Sequence, residues 1–453
     1  MVECCNRRNL LFKTTLHYSN LGEVSKREPI SITLEINQHT TNHNQRTLAV
    51  DKPSWPAILS WSLYDFANTI FSMNVISLYF PLWVTVDKGG EDILYSFALS
   101  GSMVLVALSM PLFGAFSDRM GRRIPLLVGL TLLSVFFTGS IGIFDHLIWG
   151  LVFFSLANFG YHAALVPYDA LLPQVSTGYS VAKVAGIGVA LGYVGAIVGI
   201  IMIKPFVSES GRIASFIPTA ILFLIFSLPC FFMVKEGKGR VVTLSWSSLR
   251  EEASKIKNTL ASTTKYPGLL RFLIANFIYC DAVNTVIAFM SVYAHQVVGF
   301  SDSKIRILLI VSTTFAIVGS AFFGWITHRM GAKGTLVVVL GVWIVGLVVA
   351  MVSFSPLMFW MVGPLVGIAL GGTWVSARVL VIDLSPPEKI GEIYGLYNMG
   401  GKFGFILGPL VWGSIVWAFR GLGILKYRIA ILSLLIFIVG GLYLLRKVPE
   451  KRG

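Results

Sequence analysis

Charge is what this chain has least of. Only 13% of its 453 residues are Asp, Glu, Lys or Arg, against about a quarter in soluble domains. Hydrophobic residues make up 55% and mean hydropathy is +0.75, so the chain reads as a polytopic membrane protein and length says nothing about a count of soluble domains. Cysteine is scarce as well. Cys4, Cys5, Cys230 and Cys280 lack the spacing of a zinc finger or a secreted scaffold, which argues against a disulfide framework and a metal site. There is no Gly-x-x-x-x-Gly-Lys-Ser/Thr loop, so ATP does not drive the protein directly, and no His-Glu-x-x-His or Gly-x-Ser-x-Gly to support a hydrolase. Residues 1–52 contain no continuous apolar run and are expected to be a polar, disordered tail without a secretory signal.

What the chain has is long apolar runs. Twelve are near the roughly 20 residues needed to cross hydrocarbon. They fall at 55–86, 93–117, 124–144, 147–173, 182–203, 214–234, 269–298, 303–327, 334–354, 356–384, 391–418 and 427–446. With both termini inside, 26 of the 36 Lys and Arg lie in cytoplasmic segments and 8 in outer ones, a clear positive-inside bias. The net charge of +14 therefore orients the chain and contacts anionic lipid; it does not point to nucleic acid. The polar segment 235–268 divides the chain into halves at 53–234 and 269–446, followed by a short tail at 447–453.

Those halves repeat. "YDFANT" (64–69) realigns with "CDAVNT" (280–285) at an offset of 216, sharing Asp-x-x-Asn-Thr. "GAFSDRMGRR" (114–123) realigns with "GWITHRMGAK" (324–333) at 210, and Gly186 and Gly199 match Gly395 and Gly408 at 209. Three matches in order at nearly constant offset argue for duplication, the architecture of many secondary transporters, with substrate between the repeats near the midplane.

The segment "GAFSDRMGRR" resembles the loop 2–3 signature of the major facilitator superfamily, Gly-x-x-x-Asp-Arg-x-Gly-Arg-Arg. "WSLYDFANTIF", "VPYDALLP" (166–173), "GVALGYVGAIVG" (188–199), "GGTWVSARVL" (371–380) and "YGLYNMGGKFGFILGPL" (394–410) are similar to one branch, the vacuole-effluxer-like transporters related to the yeast autophagy amino-acid effluxer. The resemblance spans residues 53–446. It implies an all-α membrane protein of two pseudo-symmetric six-helix halves, a prokaryotic member in a cell membrane, or a vacuolar one if eukaryotic. It also implies that Asp118 meets the end of span eleven and, with Gly114, Arg119, Gly121, Arg122 and Arg123, latches the halves.

An ionisable group inside a membrane span is a functional candidate by default. Asp65 lies about 10 residues into its span and Asp281 about 10 residues past Arg271, so at ~1.5 Å per residue both sit near mid-depth. One or both are expected to bind a proton or a substrate ammonium; otherwise they lock helix packing. Asn68 and Asn284 lie three residues on, on the same helix face. Lys402 and Arg378, the two cations within spans, are candidates for a substrate carboxylate or for pairing with the acids. Tyr193, the repeat partner of Lys402, and Tyr64 join this set. Tyr168 and Asp169 close span four as candidate gate residues, and His162 lies deeper. Two acids and two bases suit a zwitterion. The expected function is secondary active or facilitative transport of a small polar solute, with amino acids as the leading class, by a monomer without cofactor or metal. A drug or lipid exporter is the alternative, and a non-transporting sensor is disfavoured for want of a soluble output domain.

Overall fold

The computed structural model describes residues 55–176, 181–236, 260–386 and 389–449 and two isolated positions between them, apart from the side chains of Pro111, Ala115, Asp118, Arg119, Ala182, Gly391, Glu392 and Lys402. The expected N-terminal tail and most of the central linker lie outside the described residues.

In hydrocarbon every backbone polar group must be satisfied within its own segment, so the apolar runs fold as helices. They are α1 (Trp55–Asp87), α2 (Asp92–Met120), α3 (Ile124–Ile143), α4 (Leu147–Val175), α5 (Val181–Ser210) and α6 (Phe216–Met233). After the linker come α7 (Leu269–Gln296), α8 (Asp302–Met330), α9 (Ala332–Val352) and α10 (Val362–Leu384). The last three are α11 (Ile390–Phe403), α12 (Leu407–Ala418) and α13 (Leu425–Arg446).

One expectation is corrected. The run at 391–418 is not a single helix: a turn at 404–406 separates α11 from α12. Among the described residues eleven helices are long and apolar enough to cross a membrane, and α12 is the short half of the broken eleventh span. Pro409 contributes to the break: it has no N–H, and its ring crowds the carbonyl four residues back, which disfavours helix through 405–409, although α4, α5 and α6 run on past Pro167, Pro205 and Pro229. Gly400, Gly401 and Gly404 weaken the same stretch. The first span departs from ideality differently. It is α-helical to Phe71, then widens into π-helix at Ser72–Tyr79 and Trp83–Asp87, which re-aims side chains where the span meets the molecular centre.

The helices pack as two bundles. In one, α1 lies against α5 and α6, and α4 against α2 and α3. In the other, α10 lies against α8 and α9, and α13 against α7 and α9. α2 meets α12 and α5 meets α8 across the divide. Small residues allow close backbone approach, the main source of helix association in lipid. Gly363, Gly367 and Gly371 form a stripe on α10. A Cβ on Gly367 would meet the Ser312 carbonyl of α8 at 2.1 Å, and one on Gly371 the Ala316 carbonyl at 2.1 Å. Gly195 of α5 is as tight, with the Phe66 carbonyl of α1 at 2.4 Å from a would-be Cβ.

Candidate functional site

A cavity of about 450 Å³ lies between the bundles, walled by α1, α4, α5, α7, α8, α10 and α11. Call the face where Trp55 and Arg446 lie the near face and the opposite one the far face. Toward the near face the wall carries Asp65, Asp169 and Arg378, with Tyr193, Tyr397 and Asn398. Toward the far face it is mostly apolar, with Met73, Ile76, Met290, Leu308, Leu309 and Val366. The π-helical stretch of α1 supplies Ser72, Met73, Ile76 and Ser77 to this wall.

Arg378 is half-buried beside Tyr394 and Tyr397, and its strongest acidic neighbours are Asp65 and Asp169. The Asp65 carboxylate rests on bare backbone of α5: a Cβ on Gly188 would come within 3.4 Å of Oδ2. One turn on, Thr69 Oγ1 donates to the Gly192 carbonyl at 2.5 Å and fixes α1 against α5. The site thus offers two carboxylates, one guanidinium and an apolar recess. It can hold a solute carrying both charges and a hydrocarbon body.

The far face is closed by polar contacts between the bundles. Arg212, between α5 and α6, donates through Nε and Nη2 to Asp302 of α8 at 2.9 and 2.8 Å. The same guanidinium bonds Asp87 of its own bundle. Asp92 of α2 accepts from Trp412 Nε1 at 3.3 Å and from the Tyr427 hydroxyl at 3.1 Å. Ser100 Oγ donates to the Ile406 carbonyl at 2.8 Å. At the other end Asp169 is an exposed part of the cavity wall, so the cavity opens to the near face.

The sequence candidates divide on inspection. Asp65, Asp169, Tyr193, Asn284, Arg378 and His162 line the cavity. Asp281 does not: it is 1% exposed and faces the broken span. Asn68 is buried away from the wall. Tyr64 is a packing residue, its hydroxyl 2.6 Å from Thr131 Oγ1 and its ring against Tyr168. Tyr168 stacks on Trp61, centroids 4.7 Å apart, and donates to the Trp61 carbonyl. In the loop signature Gly121 ends α2 with φ +61, its N–H returning to the Ser117 carbonyl. Gly114 is half-buried in α2 and Arg122 is exposed. The backbone N–H groups of Arg123 and Ile124 donate to Glu236 at 2.6 and 2.8 Å. The side chains of Asp118, Arg119 and Lys402 lie outside the described residues.

Sequence reading missed Thr69, Asn276, Tyr397 and Asn398, which are uncharged and carry no signal of facing. It also missed the Arg212–Asp302 clasp; opposite charges at two span ends were visible, but their pairing was not.

A family model described as "Vacuole effluxer Atg22 like" matches residues 177–453. The chain belongs to this family. The MFS-type transporter YxiO of Bacillus subtilis is 28% identical over 420 residues, 86% of this chain and 94% of that one. A multi-drug resistance efflux pump PmrA homolog of Lactococcus lactis is 22% identical, covering 84% and 91%. Autophagy-related protein 22 of Coccidioides immitis is 21% identical over 51% of this chain and 43% of its own. Among solved structures, the nucleoside transporter NupG superposes with TM-score 0.65 at 16% identity over 86% of this chain and 98% of that one. A bacterial homolog to the human lysosomal transporter Spinster gives 0.67 at 14% over 87% and 98%. This member of the vacuole effluxer family is therefore a multi-pass membrane transporter of small molecules with the major facilitator fold, as its loop signature and repeats implied.

Proposed function

We propose that this transporter moves small zwitterionic solutes, amino acids first among them, by alternating access between its two bundles. The observation that carries the reading is the shared wall: Asp65, Asp169 and Arg378 face one cavity of about 450 Å³ whose inner end is apolar. A substrate ammonium sits toward the carboxylates, its carboxylate pairs with Arg378, and its side chain enters the recess. Burial of a charge without a partner is costly in lipid, so each end of the solute answers a wall charge. Asp65, on bare glycine backbone at the edge of the substrate space, is the proton carrier. The near face is cytoplasmic, both termini are inside a cell membrane (a vacuolar membrane in a eukaryotic cell), and the working unit is a monomer.

The test is counterflow of labelled amino acids into liposomes holding the purified protein. Arg378→Ala should lower it tenfold or more, about 1.4 kcal/mol or above in carboxylate binding. Asp65→Asn should abolish accumulation driven by a pH gradient while exchange persists. Full uptake in both variants would sink the reading. The apolar recess favours a second reading, export of a lipophilic cation; wild-type protein that moves such a cation and no amino acid would establish it.

A further inference from the structure

The motif Asp-x-x-Asn-Thr occurs once in each bundle, but only one copy meets a broken helix. In the first bundle its partner α5 runs unbroken through Val181–Ser210. In the second its partner is the turn between α11 and α12. Asn284, 3% exposed, donates Nδ2 to the Gly401 carbonyl at 3.2 Å and the Gly404 carbonyl at 3.4 Å, at the end of α11. The Asp281 carboxylate is faced by the backbone N–H groups of Leu407 and Gly408, at the start of α12. Neither Asp281 oxygen closes a hydrogen bond of ordinary geometry. A carboxylate thus stands at the amide end of one half-helix and an amide donor at the carbonyl end of the other, each complementing the local dipole.

The two half-helices are held very differently. On α12, a Cβ added to Gly408 would meet Thr285 Oγ1 at 2.1 Å, and one on Gly413 would meet Ser96 Oγ at 2.3 Å. On α11, a Cβ added to Gly395, Gly400 or Gly401 would meet nothing within 4 Å. Yet α11 carries Tyr397, Asn398 and Gly401 on the cavity wall at its open end.

We propose that the turn at 404–406 is a hinge, that Asn284 and Asp281 are its positioning residues, and that α11 swings about it as a gate on the near face while α12 stays fixed to α2. α11 seats Ile393 and Tyr397 against the core but leaves its glycine positions open, and such a rod, joined through a turn to an anchored one, is an arrangement from which hinged closure is built. The proline near the break disfavours fusion of the two rods.

Paired spin labels read this directly. In protein with Cys4→Ser and Cys5→Ser, and with Cys230 and Cys280 buried, labels at Gly395→Cys and Met330→Cys report α11. Labels at Trp417→Cys and Phe354→Cys report α12. The α11 pair is expected to give two distances and the α12 pair one. Asn284→Ala and Asp281→Asn shift the ratio of the two α11 distances and leave the α12 pair unmoved. Pro409→Ala, which restores the missing N–H, collapses the α11 pair to a single distance. One α11 distance in every chain, or both pairs shifting together, overturns the proposal. The measurement reads motion without substrate, so its failure leaves the amino-acid reading standing.

Discussion

Tyr64, Asp65 and Asn68 lie within five residues of one helix and do three different things. Tyr64 is fully buried against Thr131 and Tyr168, Asp65 reaches the cavity, and Asn68 is enclosed by packing. Tyr64→Phe removes one buried hydrogen bond, and Thr131 keeps its bond to the Leu127 carbonyl. The expected cost is about 1 kcal/mol of stability, read as a lower melting temperature, with transport intact. Unchanged melting with lost transport would return Tyr64 to the site. Gly371→Ala should do far more harm, since its Cβ would enter the Ala316 carbonyl at 2.1 Å; about 1–3 kcal/mol is expected, visible as poor yield of folded protein. At this scale the sequence was informative for ions and weak for facing. Asp65 and Arg378 were legible because charge in a span is rare. The burial of Asp281 was not, because it depends on a break in another helix.

Among the elements, helix ends carry the testable contacts. Glu236, just beyond α6, accepts from the first amides of α3 and so ties two non-adjacent segments of one bundle. Glu236→Ala leaves those amides without a charged acceptor and should cost about 1–2 kcal/mol in thermal stability. The far-face clasp makes a different prediction. Arg212→Ala or Asp302→Asn cuts a bond between bundles, and Ser77→Cys should then react faster with a membrane-impermeant thiol reagent applied at the far face. Asp87→Asn should change that rate less, because Asp87 belongs to the same bundle as Arg212. Equal effects from all three would mean that the clasp is local packing and not a closure. The existence of each span was readable from hydropathy, and the break in the eleventh had a readable cause in Pro409. The π-helical stretches of α1 flank Pro81, which has no N–H for the carbonyl four residues back, but the sequence did not say that the helix would widen there instead of breaking.

For the whole molecule, the internal repeat was the most useful sequence signal. It gave two bundles and a cavity between them without any structural input. It paired Asp65 with Asp281 and left open whether one or both line the substrate path; only Asp65 is on the cavity wall. The proposed orientation rests on the Lys and Arg count and is checked simply. A cysteine at Phe354, 83% exposed in the far-face loop, should label from outside intact cells, whereas one at Arg122 should not. The reverse pattern would invert the proposed topology.

The glycine stripe on α10 has a mechanical consequence. Gly367 and Gly371 each seat a carbonyl of α8, so the two helices mesh like a key in its slot. They cannot shear by a fraction of a turn without driving oxygen into backbone. α8 and α10 must therefore travel as one stiff member through every cycle. A covalent bridge between them should leave the transporter running, while one between α7 and α11 should stall it.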